Sequence, residues 1–263
     1  MKRFLLNLMI VTSLLFTTLT VFAEVVFRQQ CKLEEPPLTV LRVKTAYSNA
    51  YAIIGPVQTF LVDTGDSRSW RQIKAEIEEF NPLAWEQLTH IIITHAHFDH
   101  AGSATRIQEL TNADIITHAG DAYSYERGIT DVGNIRQWPW SEAILVPVIQ
   151  GLFRFKRVFS NTYLEEAEYD LENIVVSESF PAKGYIWHIP GHTPGSLGLV
   201  LACGETRLAL LGDTVVGENG KLAKQMSFAH DWDLLDEQYE RIIDKDFDLI
   251  FPGHGNTVFR RQK

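Results

Sequence analysis

The chain has 263 residues, 45% of them hydrophobic, which is enough for one globular domain with a sizeable core. Its formal net charge is −9, a balance that argues against nucleic acid, whose phosphates would be repelled, and against docking on an anionic membrane surface. The two cysteines, Cys31 and Cys203, form no C-x-x-C pair, which excludes a cysteine-rich zinc site; an oxidising compartment would permit one disulfide between them.

The first stretch, "MKRFLLNLMIVTSLLFTTLTVFAE", starts with Lys2 and Arg3 and runs apolar or hydroxylated from Phe4 to Phe22. Val21 and Ala23 are small residues where a signal peptidase prefers them. The stretch predicts a secretory signal peptide over 1–23, cut near Ala23, and hence a periplasmic or secreted protein. The competing reading is an uncleaved anchor; no lipobox precedes Cys31. Removing 1–23 takes two cations and no acid, so the exported chain would carry −11 and keep no stable membrane association. Residues 24–263 read as a single domain, without internal repeats.

"TVLRVKTAYSNAYAIIGPVQTFLVDTGDS" predicts three strands broken by turn residues. "SWRQIKAEIEEF" follows, with Trp70, Ile73, Ile77 and Phe80 at helical spacing, and Pro82 ends it. "THIIITH" is a short strand apolar on both faces. "GSATRIQELT" carries Ala104, Ile107 and Leu110 on one helical face, and "ADIITHAGD" is another strand. Residues 122–170, rich in aromatics with Pro139, Pro147 and Gly151, read as an insertion of short helices near the site, Trp138–Phe155 serving either as a lid or as a cover for a sheet. Then come "GYIWHIPGHTPGS", the strand pair around Cys203, the amphipathic helix "DLLDEQYERIID", and "FDLIFPGHGNT". Strand pairs mixed with helices predict two packed sheets, each covered outside by helices.

"IIITHAHFDHAG" crowds His95, His97, Asp99 and His100 into six positions after a buried strand. In such a loop, alternate residues converge on one point, and imidazoles bind zinc and similar metals. Asp99 and His100 then face a second centre, and two-metal hydrolases need centres ~3.5–4 Å apart. Three more candidate ligands sit at similar strand ends beside glycine: His192 in "IPGHTPGS", Asp213 in "LALLGDT" and His254 in "LIFPGHG". Glycine lets the backbone turn sharply and approach closely. His90, His118, His188 and His230 match no such pattern and read as surface or core histidines; His230, which follows the Asp213 loop, is the best placed of them to reach the site.

Taken together, "VDTG", "THAHFDHAG", "PGHTPGS", "GDT" and "FPGHG" resemble, in order, the motifs of the metallo-β-lactamase-fold superfamily over residues 38–257. The resemblance implies an α/β (α+β) four-layer αβ/βα sandwich with the site at one edge. It implies His95, His97 and His192 on one metal, Asp99, His100 and His254 on the other, and Asp213 between them. Asp63 is carried over as a buried residue that orients the ligands. The implied cofactor is two Zn2+, with iron or manganese able to occupy similar donors. The implied activity is metal-assisted hydrolysis of a small-molecule substrate, with Asp99 as a catalytic candidate that passes a proton to the leaving group.

Four readings follow. The first is an exported hydrolase of a small ester, lactone or amide. The second is a β-lactamase: one secreted subclass shares the His-x-His-x-Asp-His spacing but places serine or cysteine where this chain has Asp213. The third is a glyoxalase-II-like thioester hydrolase, disfavoured because that group continues with a helical region after the last histidine motif and works in the cytosol. The fourth, from a different class, is a metal-binding protein without catalysis, disfavoured because no expected ligand is missing. A nuclease is disfavoured by the charge. The sequence assigns no oligomeric state.

Overall fold

The computed structural model describes residues 24–30, 37–136, 142–174, 180–218, 221–255 and 259–260. The expected signal segment 1–23, Cys31 and Trp138 lie outside these residues.

Seven strands form the first sheet, in chain order: β1 (Glu24–Gln30), β2 (Pro37–Lys44), β3 (Asn49–Ile54), β4 (Thr59–Val62), β5 (Leu88–Ile92), β6 (Asp114–His118) and β7 (Thr162–Leu164). The strands are antiparallel up to β4 and parallel from β4 to β7. Each parallel step needs a crossover, and helices supply it. Between β4 and β5 run α1 (Trp70–Phe80) and α2 (Pro82–Glu86); between β5 and β6, α3 (Phe98–Ala101) and α4 (Ala104–Thr111); between β6 and β7, α5 (Ala122–Arg127) and α6 (Glu142–Leu152). Asn81 separates α1 from α2. Its side chain accepts from the Leu83 amide while Pro82 occupies the first turn of α2, so Pro82 begins a second helix as well as following the first.

The second sheet has the order β15–β14–β11–β10–β9–β8, built from β8 (Glu168–Asp170), β9 (Lys183–His188), β10 (Leu197–Cys203), β11 (Thr206–Leu210), β14 (Leu249–Phe251) and β15 (Phe259–Arg260). The pair β12 (Val215–Glu218) and β13 (Lys221–Lys224) stands apart. Helix α7 (Trp232–Asp244) makes the parallel crossover from β11 to β14, and the Asp231 carboxylate caps it by accepting from the Leu234 amide at 3.0 Å.

The two-residue period of a strand sorts the core into layers. Leu38, Val40, Tyr51, Ile53, Phe60 and Val62 point inward and meet Leu199, Leu201, Leu208 and Leu210 of the other sheet. Their alternates Leu41, Val43, Ala52 and Leu61 point outward onto Ile73 and Ile77 of α1 and Ala104 and Ile107 of α4. On the far side Trp187, Val200, Ala209 and Ile250 pack against Ile242 of α7. Helix, sheet, sheet, helix is the expected four-layer sandwich, and it explains why the strands read as apolar on both faces.

Two expectations change in detail. Leu110 is 39% exposed, because α4 closes one residue later at Thr111 with Asn112 in the left-handed conformation and this last turn covers little of the sheet. Residues 122–170 hold α5 and α6 as expected, but their last part adds an edge strand to each sheet, β7 and β8. These three-residue strands are too short to show a period in the sequence. Cys203 ends β10 at the hairpin to β11, as expected, and is buried and disulfide-bonded.

Candidate metal centre

Parallel strands β4, β5, β6, β11 and β14 all open their C-terminal ends at one edge of the sandwich, where α/β sheets hold ligands. Residue 63 follows β4, the 95–100 loop follows β5, Asp121 follows β6, Asp213 follows β11 and His254 follows β14; His192 lies in the turn from β9 to β10. Seven donor side chains fall into two groups whose ligand atoms lie within 4.8 Å of one another: His95, His97, His192 and Asp213, and Asp99, His100 and His254. These are the seven sites expected from the sequence. Asp213 faces both groups. Its Oδ2 is 3.6 Å from His192 Nε2, 4.0 Å from His95 Nε2 and 3.0 Å from His254 Nε2, and its Oδ1 is 3.3 Å from His100 Nε2. His254 Nε2 is in turn 3.5 Å from Asp99 Oδ2.

The outer ring nitrogens set the tautomers. His100 Nδ1 donates to Asp63 Oδ2 at 2.8 Å, His192 Nδ1 to the Phe228 carbonyl at 2.9 Å, and His97 Nε2 to the Asp131 carbonyl at 2.8 Å. The Thr94 hydroxyl donates to Asp63 at 2.8 Å, so its oxygen accepts from His95 Nδ1 at 3.0 Å. In the neutral ring each of these imidazoles therefore turns its unprotonated nitrogen inward, and a metal at His100 would displace the inner proton that the surrounding carboxylates favour.

The inward atoms fit a cation. His97 Nδ1 lies 3.2 Å from His192 Nε2, where two lone pairs repel unless positive charge sits between them; His100 Nε2 and His254 Nε2, 3.3 Å apart, share the positive charge that Asp213 and Asp99 draw in. His95 Nε2 and Asp213 Oδ1 are buried without a hydrogen-bond partner, an arrangement otherwise costly in a core. Imidazole with carboxylate is a donor set suited to zinc.

Protons report the same field. Burial, then the neighbouring imidazoles, hold His95 well below the ordinary histidine value, and burial with His97 takes His192 to about 3. Burial opposes charge on His100 too, but Asp213, Asp63 and Asp99 outweigh it and raise His100 to about 10. Asp213 would be raised by burial, yet His254 and His100 hold it well below the usual carboxylate range. Three carboxylates thus draw a positive charge into the centre.

Several supports have no motif in the sequence. The carboxylate of Asp121 accepts from the Ala96 amide at 3.0 Å, the Thr193 hydroxyl at 2.7 Å and the Gly195 amide at 2.7 Å, tying the His95–His100 loop to the His192 loop. Asn49 Nδ2 donates to the carbonyls of Pro252 at 3.1 Å and Gly255 at 3.0 Å, holding the His254 loop against β3. Asp63 takes its expected supporting place, with φ at +60°, a region Asp tolerates better than most residues. A Cβ on Gly253 would lie 2.2 Å from Asp213 Oδ1, so only glycine lets the His254 loop come this close. His230 does not join the site: it is exposed, and its backbone amide donates to the His192 carbonyl at 3.0 Å.

His118 and His188, at the ends of β6 and β9, stack with ring centroids 3.6 Å apart and join the two sheets beneath the site. Burial first, then His188, lower His118 to about 4. Between that value and the ordinary 6.5, the unfolded chain binds a proton the folded chain refuses, so stability falls as pH drops through the window. Asparagine at 118 can keep the acceptor that Nδ1 offers the Gly120 amide. The expected result is that the thermal midpoint of His118→Asn falls less than that of the parent between pH 6.5 and 4.5; parallel melting curves would refute it.

Beside the centre lies a cavity of about 450 Å3. His97, Asp99, His192, Asp213 and His254 form its polar floor; Phe98, Val132, Ile149, Phe153, Val216 and Phe228 its apolar walls. Asp99 and His254 are the more open donors, with side chains 10% and 30% exposed, so approach to the centre is from their side.

The family model of the metallo-beta-lactamase superfamily matches residues 43–254. A probable metallo-hydrolase of Bacillus subtilis (strain 168), YflN, is 30% identical over 131 residues, which is 49% of this chain and 46% of that protein; the match thus spans about half the length of the curated relative. Among solved structures, a metallo-beta-lactamase of Cronobacter sakazakii with a HARLDQ motif superposes with a TM-score of 0.61 at 18% identity, covering 81% of this chain and 76% of its own. A subclass B3 metallo-beta-lactamase of Bradyrhizobium japonicum superposes with a TM-score of 0.60 at 18% identity, over 81% and 74%. At these identities the superpositions speak for the fold, and the family match runs from within β2 to the last histidine of the centre: the chain belongs to the metallo-beta-lactamase superfamily.

Proposed function

We propose that the protein is an exported, binuclear metal-dependent hydrolase of a small ester, lactone or amide. The observation that carries this reading is Asp213, which stands between two groups of inward-facing donors beside an open cavity. The two groups of donors would hold divalent ions, zinc by default, which would supply a nucleophilic hydroxide at neutral pH and charge for a developing oxyanion. The chain's own residues do the rest. Asp213 offsets positive charge at both groups, and Asp63, Thr94 and the carbonyls of Asp131 and Phe228 keep four imidazoles aimed. Asp99 lines the cavity, where it can hand a proton to the leaving group. Export is supported by the apolar segment behind Lys2 and Arg3 and by the disulfide at Cys203.

Hydrolysis of β-lactams is the second reading, favoured by the neighbours in fold, among them a class B3 di-zinc metallo-beta-lactamase from an Alaskan soil metagenome with a TM-score of 0.59 and 20% identity. Against it, no lysine or arginine lines the cavity among the described residues to meet the carboxylate such substrates carry. The test is a panel of nitrocefin, a homoserine lactone, a thioester and a phosphodiester, each with and without chelator. Carbonyl substrates should be turned over, chelation should abolish turnover, and zinc should restore it. Nitrocefin or phosphodiester turnover above that of every other substrate would overturn the assignment, and no turnover of any would favour a metal-binding protein.

A further inference from the structure

The cavity says more about the substrate than the metal donors do. Those donors apart, every side chain that lines it is uncharged, and Thr130, Gln225 and Ser227 are its only other polar members among the described residues. An anionic or cationic substituent would be desolvated there without a partner, whereas an alkyl chain would exchange water for Phe98, Ile149 and Phe153. The wall is built into the catalytic loop. Phe98 directly precedes Asp99, its amide donates to the Thr130 hydroxyl at 3.0 Å, and its ring packs on Phe153 with centroids 4.6 Å apart and on the edge of Tyr47 at 5.4 Å. Beyond this aromatic pair lies a second cavity of about 490 Å3 that shares Phe98 and Phe153 but is also lined by Asp66, Arg68 and Arg154. The apolar space therefore begins at the metal donors and stops at Phe153, where charged side chains begin.

We propose, on the basis of the hydrolase reading above, that the substrate carries an uncharged alkyl or acyl chain that lies along Ile149 and Phe153, and that Phe153 sets the chain length accepted. Helix α6, which supplies Ile149, is pinned for this role. Its Glu142 carboxylate accepts from the Ile135 amide at 2.7 Å, and its Gln150 amide donates to Asp131 at 3.2 Å, the residue whose carbonyl orients His97.

The kinetic test uses zinc-loaded protein and p-nitrophenyl esters from acetyl to dodecanoyl. The value of kcat/KM should rise about fourfold per methylene up to a limit, and Phe153→Ala should move that limit at least two carbons longer. An ester whose chain ends in a carboxylate should fall at least tenfold below its neutral counterpart of equal length. A flat profile, or equal turnover of the charged ester, would overturn the proposal. A second readout needs no catalysis: N-phenyl-1-naphthylamine should fluoresce on binding the protein, 1-decanol should displace it, and Ile149→Asp, at the half-exposed wall, should weaken both at least tenfold. Failure of probe binding would also overturn the proposal. Probe binding and displacement without turnover of any ester would leave the apolar site standing and bring down the hydrolase reading instead.

Discussion

The Asp213→Ala protein is expected to hold fewer than two metal ions and to lose hydrolysis by about a thousandfold or more, about 4 kcal/mol of transition-state stabilisation. The size of the effect follows from position. Among the described residues Asp213 is the only carboxylate within 4.0 Å of imidazoles from both donor groups, and it is buried. Removing it leaves His95 and His192 without the carboxylate that faces them and leaves only Asp99 and Asp63 beside His254 and His100, and two cations would then repel across a site of low polarity. Asp213→Asn keeps the shape and one donor oxygen but not the charge, so it should fall between alanine and the parent. Elemental analysis of the purified proteins beside their kcat/KM checks both parts. Two ions per chain in Asp213→Ala, with more than a tenth of parental activity, would show that the bridging position is dispensable.

The parts of this architecture that are legible in the sequence are those where one residue type can do one job in one place. The buried strands are covered on both faces, so they read as unbroken apolar runs, and each run ends in glycine and a ligand or in the crowded 95–100 loop. That is why the seven donors and the four layers can be anticipated. The supports are hidden for physical reasons. Asp121 sits in "THAGDAY", where aspartate before a helix reads as turn chemistry, and its partners at Thr193 and Gly195 are brought to it only by the packing of one sheet on the other. The carbonyls of Asp131 and Phe228 orient two ligands through the backbone, and a backbone carbonyl leaves no trace in residue identity. Asn49 secures the His254 loop from the far end of the chain, a link that exists only once β3 lies beside it. The stacked pair of His118 and His188 looks like two isolated histidines until β6 and β9 end at the same edge. The aromatic wall is half legible: the composition of 138–155 points either to a lid or to a cover for a sheet, and only the structure places Phe153 beside Phe98 in the lining of the donor cavity.

The second large effect concerns one of those hidden supports. Asp121 is 3% exposed, and burial raises its carboxyl above the ordinary range although three hydrogen bonds oppose the shift. Those bonds reach two loops that belong to different sheets. Alanine at 121 leaves the buried Ala96 and Gly195 amides without their acceptor, while the Thr193 hydroxyl keeps only Ser196 Oγ, 2.9 Å away. With about 1–3 kcal/mol for each of the two stranded buried amides, Asp121→Ala should lose about 2–6 kcal/mol of stability. The loop that carries His95, His97, Asp99 and His100 would also lose its anchor to the loop that carries His192, and zinc affinity should fall about 10–100-fold, as for other residues that orient ligands. Asp121→Asn separates the two effects. Its amide keeps one acceptor oxygen and the shape, but its NH2 confronts at least one donor, so it should recover part of the stability and less of the affinity. Chemical denaturation of the metal-free proteins, set beside competition for zinc with a chromophoric chelator, measures the two quantities independently. If Asp121→Ala unfolds at the parental denaturant concentration and binds zinc as tightly, the two halves of the site are held together by something other than this carboxylate.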